Sequence, residues 1–248
     1  MQERFLNSLS ILLIAFFISF GCREKGGGNE DSKPEIITFT GTLTSFLYGT
    51  PVEGAAITLL DNDTGAETGV KTKSGANGKV EFQIEKGKKF GLKATLGNHL
   101  DTYQFNMDVA QDEILWIVAN QTVTLAARSS GLSIDAEKGI VAGTIYWENP
   151  NEEEEHVGCA TIESYPEGDI RYTDSTGFPV PPESAKSTNK DKSYFFLANI
   201  LPGKVSIKTK MDATELGMVS SFTYKGAIGI SNIYATGKKN PTPENCLR

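Results

Sequence analysis

Residues 77–94 read NGKVEFQIEKGKKFGLKA. Val80, Phe82 and Ile84 occupy alternate positions, and Phe90, Leu92 and Ala94 repeat that spacing after Gly87. A strand sends successive side chains to opposite faces, so each triplet marks a strand with one buried face. A helix would space its apolar residues three and four apart. Asn77-Gly78 ahead of the first triplet is a hairpin signal, because both residue types tolerate positive φ in a two-residue turn. Gly87 bends the chain into the second triplet.

The same period runs outward in both directions. Ala55, Ile57 and Leu59 alternate between the turns TPVEG (50–54) and DNDTG (61–65). Tyr103, Phe105, Met107 and Val109 alternate again, and residues 114–118 form an apolar run of strand length. Short strands punctuated this often by turns predict an all-β sandwich or barrel.

Gly41-x-Leu43, Thr50-Pro-Val-x-Gly54-Ala55-x-Ile57-x-Leu59, Thr72-x-Ser74 and Gly78-x-Val80-x-Phe82 together resemble the carboxypeptidase regulatory-like domain. The resemblance covers residues 36–109 and implies a small transthyretin-like β-sandwich. It is to a non-catalytic accessory domain, so it implies no activity.

Much of this pattern recurs later in the chain. Residues 142–146 (AGTIY) parallel 40–44 (TGTLT), and 157–160 (VGCA) parallel 53–56 (EGAA). Residues 194–207 (YFFLANILPGKVSI) parallel the stretch from Val80 through Gly87 to Leu92. Repetition at this distance is a duplicated domain, not a solenoid. The second copy carries an insertion over 166–186. Thr161 and Glu163 fall where the first copy has Ile57 and Leu59, so the alternative register puts Ala160, Ile162 and Ser164 inward. Between the copies, QTVTLAARSS (121–130) predicts a helix, begun at Asn120 or Thr122 and ended by Gly131.

The expected fold is therefore all-β: two tandem transthyretin-like or Ig-like β-sandwiches joined by a short helical linker. The boundaries are 36–120 for the first sandwich, 121–138 for the linker, 139–236 for the second and 237–248 for a C-terminal tail.

Ahead of these, residues 11–20 (ILLIAFFISF) are apolar but too few to span a bilayer, which takes about 20. With Arg4 before it and small residues at its end, the run reads as a signal peptide, 1–21. Ser19-Phe20-Gly21-Cys22 resembles a bacterial lipoprotein signal, which implies that Cys22 receives a diacylglyceryl group, palmitate being one such acyl chain. Ser19-x-Gly21 also satisfies the small-x-small rule of plain secretion. Each buried methylene contributes about 0.8 kcal/mol to anchoring. Residues 22–35 hold no large apolar side chain and read as a flexible tether. Arg23 lacks an inner-membrane retention signal, which points to the outer membrane of the cell envelope.

Chemistry-bearing residues are sparse. The net charge of −7 offers no basic stripe for nucleic acid. With Cys22 lipidated, Cys159 and Cys246 remain as an even pair in an exported chain, and a disulfide between them would pin the tail. His99 and His156 lack partners at metal-ligand spacing, and no phosphate loop, nucleophile elbow or dinucleotide fingerprint occurs. We therefore expect no enzyme, no metal and no cofactor. Asp61-x-Asp63 reads as an Asx turn, and the acidic run 152–155 as a solvated loop. Tyr165, Tyr172 and Phe178 interleave with carboxylates in the loop 165–186, which suits either sugar stacking or covering a sheet edge. Sugar stacking could also draw on Trp147. The expected role is structural or protein-interaction display at the envelope, with glycan binding through that loop as the alternative.

Overall fold

The computed structural model describes residues 34–108, 113–148 and 153–246. The signal peptide 1–21, Cys22, most of the tether 22–35, Val109 and Glu152 lie outside the described residues.

The first half holds β1 (Ile36–Ser45), β2 (Ala56–Asp61), β3 (Glu67–Lys73), β4 (Lys79–Glu85), β5 (Phe90–Thr95), β6 (His99–Leu100), β7 (Thr102–Met107) and β8 (Glu113–Ala119). Helix α1 (Asn120–Ser129) follows. The second half holds β9 (Gly139–Glu148), β10 (Glu154–His156), β11 (Thr161–Tyr165), β12 (Asp169–Tyr172) and β13 (Tyr194–Ile200). It ends with β14 (Gly203–Met211), β15 (Thr214–Thr223), β16 (Ile228–Ile230) and β17 (Ile233–Ala235).

Strand β4 buries Val80, Phe82 and Ile84 and exposes the residues between them, as the alternation requires. Asn77 and Gly78 both take positive φ, 57° and 73°. Yet they close no hairpin. β3 pairs with β2 and β4 pairs with β1, so this turn carries the chain from one sheet to the other. A Cβ on Gly78 would collide with the Leu43 carbonyl oxygen. The turn is chosen by what packs over it as well as by its φ angles.

The two halves share one pairing scheme. β1 pairs antiparallel with β4 and parallel with β8. β9 correspondingly pairs antiparallel with β13 and parallel with β17. In the opposing sheets, β2–β5–β7 is matched by β11–β14–β15, all antiparallel. Phe39 stacks on Phe82 at 4.8 Å and meets Phe90 edge-on at 5.2 Å in the first core. Val141, Ile145, Leu197, Val205 and Ile207 are each wholly buried in the second. Burying one such side chain contributes about 1.5–3 kcal/mol. Ala160 just before β11 and Ile162 on it face inward, while Glu163 points out and pairs with Lys210 at 2.6 Å.

β16 lies between the halves. It pairs parallel with β7 on one side and β9 on the other, so ten strands form one sheet. Tyr103 and Phe105 of β7 pack against Tyr224 and Phe222 beside it. Helix α1 covers that sheet, setting Val123 and Ala126 on Ala142, Phe196 and Ile228. Asn120 is its first residue, and Ala119 at its N-cap makes no side-chain capping bond. Its apolar face, more than a cap, holds this helix in place. Pro34–Arg248 forms a single unit.

Candidate functional site

The loop 165–186 scatters its three rings. Tyr165 stands at the end of β11, 82 % exposed. Tyr172 on β12 is buried, and its hydroxyl oxygen accepts the Ile162 N–H at 2.8 Å. Phe178 sits on a turn held by Asp174, whose carboxylate accepts the N–H groups of Thr176 and Phe178. Burial raises the Asp174 pKa, and these bonds outweigh it to leave the group below the usual carboxylate range. Trp147 is buried too, its indole N–H donating to the Gly237 carbonyl at 3.2 Å.

Phe178 instead joins rings from distant parts of the chain. Phe46 after β1, Trp116 of β8, Tyr146 of β9, Tyr194 of β13 and Phe178 line a cavity of ≈ 310 Å³, with α1 along one wall. The alternation along β9 explains the placing: Val141 and Ile145 enter the second core, while Ala142 and Tyr146 take the face shared with α1. Phe46 meets Trp116 edge-on at 5.7 Å. Lys192 lines the same cavity and donates to the Thr176 carbonyl at 3.0 Å.

A second hollow of ≈ 640 Å³ adjoins the first; Trp116, Ile230 and Asn232 line both. Its walls carry Asp108, Glu113, Glu148 and Glu154 with Lys89 as the single basic residue. Burial, then the charges of Asp108 and Glu154, raise the Glu113 carboxyl above its ordinary value. Tyr234 donates to Glu154 Oε1 at 2.6 Å. Burial together with that carboxylate holds its phenol far above the usual range.

Strand register lays His156, Tyr146 and Tyr234 side by side across β10, β9 and β17. Their rings are 5.3 Å and 6.0 Å apart with planes within 33°. None of this strip is legible as a local motif, because it depends on pairings between strands far apart in sequence.

His156 Nδ1 accepts the Ser193 N–H at 3.2 Å and lies 3.0 Å from Ser193 Oγ. Ser193 is wholly buried, and its hydroxyl donates to the Ile145 carbonyl. A hydroxyl so enclosed is a structural link, not an offered nucleophile. His99 Nδ1 lies 3.0 Å from the Gly97 carbonyl oxygen of its own turn. Asp61 accepts the N–H groups of Asp63 and Thr64, the bonding of an Asx turn. Among the described residues no three His, Cys, Asp or Glu side chains gather as metal ligands.

Cys159 and Cys246 are joined in a disulfide, their Cα atoms 5.7 Å apart. Around it, Gly158 donates to Thr242 Oγ1 at 2.9 Å, and Asn240 donates to Glu155 and to the His156 carbonyl, both at 3.1 Å. A Cβ on Gly158 would lie 2.9 Å from the Cys246 sulfur. The tail is thus bound against β10, next to the aromatic strip.

No family model and no curated protein matches this chain. Among solved structures, the TIE protein of Bacillus anthracis is 17 % identical with a TM-score of 0.26, over 82 % of this chain and 34 % of that one. This chain therefore spans about a third of that protein's length. GBS52, the minor pilin of Streptococcus agalactiae, is 12 % identical with a TM-score of 0.26, covering 85 % of this chain and all of that one. The shaft pilin SpaA of Lactobacillus rhamnosus GG is 7 % identical with a TM-score of 0.26, over 82 % of this chain and 99 % of that one.

Proposed function

We propose that this chain is a lipid-anchored, non-enzymatic cell-envelope protein that presents its β-sandwiches to other envelope proteins through the adjoining hollows at Trp116. One observation carries the reading. Phe46, Trp116, Tyr146, Phe178 and Tyr194, from five places in the sequence, converge on one open cavity. Aromatic anchors seated in pockets supply most of the energy of protein interfaces. Rigid sheets suit the display of such a surface.

The anchor in this reading is a diacylated Cys22, carried on the tether 22–35 and facing the outer membrane, with sandwiches over 36–120 and 139–236. The apolar run ending at Gly21-Cys22 supports it. So does the Cys159–Cys246 disulfide, a bond that persists in oxidising compartments outside the cytoplasm. A photo-crosslinking residue in place of Phe178, in the full chain in cells, tests the interaction. The expected product is a discrete adduct with an envelope protein, lost when Trp116→Ala is added. An adduct indifferent to Trp116, or none, counts against the reading. Mass spectrometry of membrane-extracted protein tests the anchor, and an unmodified mature N-terminus removes it.

The strip His156–Tyr146–Tyr234 favours a second reading, glycan binding. Three rings in a row, each tilted by 31–33° from its neighbour, offer a strip on which successive sugar rings could stack. Saturable binding of an envelope-derived oligosaccharide, abolished by Tyr146→Ala, is its test.

A further inference from the structure

We propose that two copies of this chain pair through β4, edge to edge and antiparallel, about a two-fold axis at Phe82. The surface is separate from the hollows above, since no residue of β4 lines either of them.

The edge is open and straight. β4 ends its sheet, hydrogen-bonded to β1 on one side and to no strand on the other among the described residues. Its ladder with β1 runs from Lys79 to Glu85 without a register shift. Other edges are blunted. β6 has two residues and β12 four. β3 is as long as β4, but a register shift against β2 and a φ of 88° at Gly69 break its line. Brevity and bulges keep an edge single, and β4 has neither.

The phase of the ladder fixes what this edge offers. The Lys86 N–H donates to the Glu35 carbonyl at 2.8 Å, which turns the even-numbered backbone groups of β4 toward β1. Lys79, Glu81, Gln83 and Glu85 therefore point theirs outward, and the Lys79 carbonyl accordingly accepts the Gly75 N–H at 2.8 Å. Two such edges bond only when odd residues face odd residues, so the possible registers differ by steps of two.

The side chains at these four positions are exposed, and they choose the register. With the axis at Phe82, Lys79 faces Glu85 of the second copy and Glu81 faces Gln83, each on both sides of the axis. One step of slip sets Glu81 against Glu81 of the second copy. The opposite step sets Glu81 against Glu85. Opposite charges facing across strands stabilise a pair, and like charges destabilise it. Gln83 Nε2 donates to Thr38 Oγ1 at 2.8 Å and keeps a second hydrogen for the facing Glu81. Lys79 lies 3.2 Å from Glu81 of its own strand, an exposed pair that holds it only weakly. Charge order thus names a second copy as the occupant, because a strand of arbitrary sequence would lack this match. A two-fold contact of this kind closes on itself, so pairing stops at a dimer.

Sedimentation velocity on the full chain, purified in detergent, measures the association, and we expect a monomer–dimer equilibrium. Lys79→Glu or Glu85→Lys alone sets like charges opposite each other and should weaken the dimer at least about tenfold. Lys79→Glu combined with Glu85→Lys should restore it, because the facing pairs attract again. Gln83→Pro should abolish the dimer while melting close to the parent, since the Gln83 N–H faces outward and β1 does not use it. The charge swaps lie on exposed positions, so they decide the matter even if the proline variant melts early. A parent that stays monomeric at every concentration overturns the inference. So does a dimer that the single swaps leave intact, or one that they weaken and the double swap fails to restore.

Discussion

The ring of Tyr224 lies flat on that of Tyr103, centroids 4.0 Å apart and planes 15° apart. Tyr103 belongs to the first half and Tyr224 to the second, and the Tyr224 hydroxyl donates to the Gly65 carbonyl at 2.7 Å. Burial and the neighbouring phenol raise the Tyr224 pKa to about 12, so the hydroxyl remains a donor at any ordinary pH. Tyr224→Phe should cost about 1 kcal/mol. Tyr224→Ala, which also removes the stack, should cost about 3 kcal/mol. Urea unfolding measures both, and equal losses would assign the whole effect to the hydroxyl and none to the stack.

Acid should weaken the fold through His156. Burial lowers its pKa from 6.5, opposed by Glu154 and Asp191 and aided by Lys192. The unfolded chain therefore takes up the proton first. Stability from this group is fully present above the unfolded value of 6.5. It is lost as pH falls below that value and stops falling beneath the folded pKa. The urea midpoint should be lower near about pH 5.5 than near about pH 7.5, and His156→Gln should flatten that difference. An unchanged slope in the variant would assign the effect to other groups.

Reducing the disulfide should release the tail. Cys159 and Cys246 are 87 residues apart in sequence, and closing so long a loop lowers the entropy of the unfolded chain. Cys246→Ser should cost about 3–4 kcal/mol. Wild type in reductant should melt like the variant, as differential scanning calorimetry can show.

Gly143 should tolerate no side chain. A Cβ there would overlap the Ser231 carbonyl oxygen and lie 2.7 Å from the Phe195 ring. Phe195 is fixed on β13 inside the sheet, and Ser231 is held just past β16 by its N–H on the Ala142 carbonyl at 2.9 Å. Gly143→Ala should therefore cost about 4 kcal/mol or prevent folding. Exposed Gly97, with nothing within 4 Å of its position, should accept alanine with little loss. Soluble yield and thermal melts of the two variants compare them directly.

Strands with one wet face were legible in the sequence. β4 alternates burial at every position, so its period alone identifies it. β9 is buried over most of its length on both faces, and only its likeness to the first copy gave it away. Pairing was less legible than period. Asn77-Gly78 has the right residues for a hairpin, but the partner of β4 is β1, some forty residues earlier, and no local signal encodes that choice. The candidate site was barely legible. Tyr172 points inward because β12 is hydrogen-bonded to β13 over the second core, while Tyr194 and Trp116, unremarkable in sequence, line the cavity with Phe178.

β16 is three residues long and is the strand by which β7 and β9 belong to one sheet. A ribosome makes β7 long before it makes β16, so the first half must wait with that edge bare until nearly the whole chain has emerged. An unpaired edge is a template for other chains. The order of synthesis therefore makes the last strands a seal, and a chain that stops short of Ile228 would leave β7 open to aggregation.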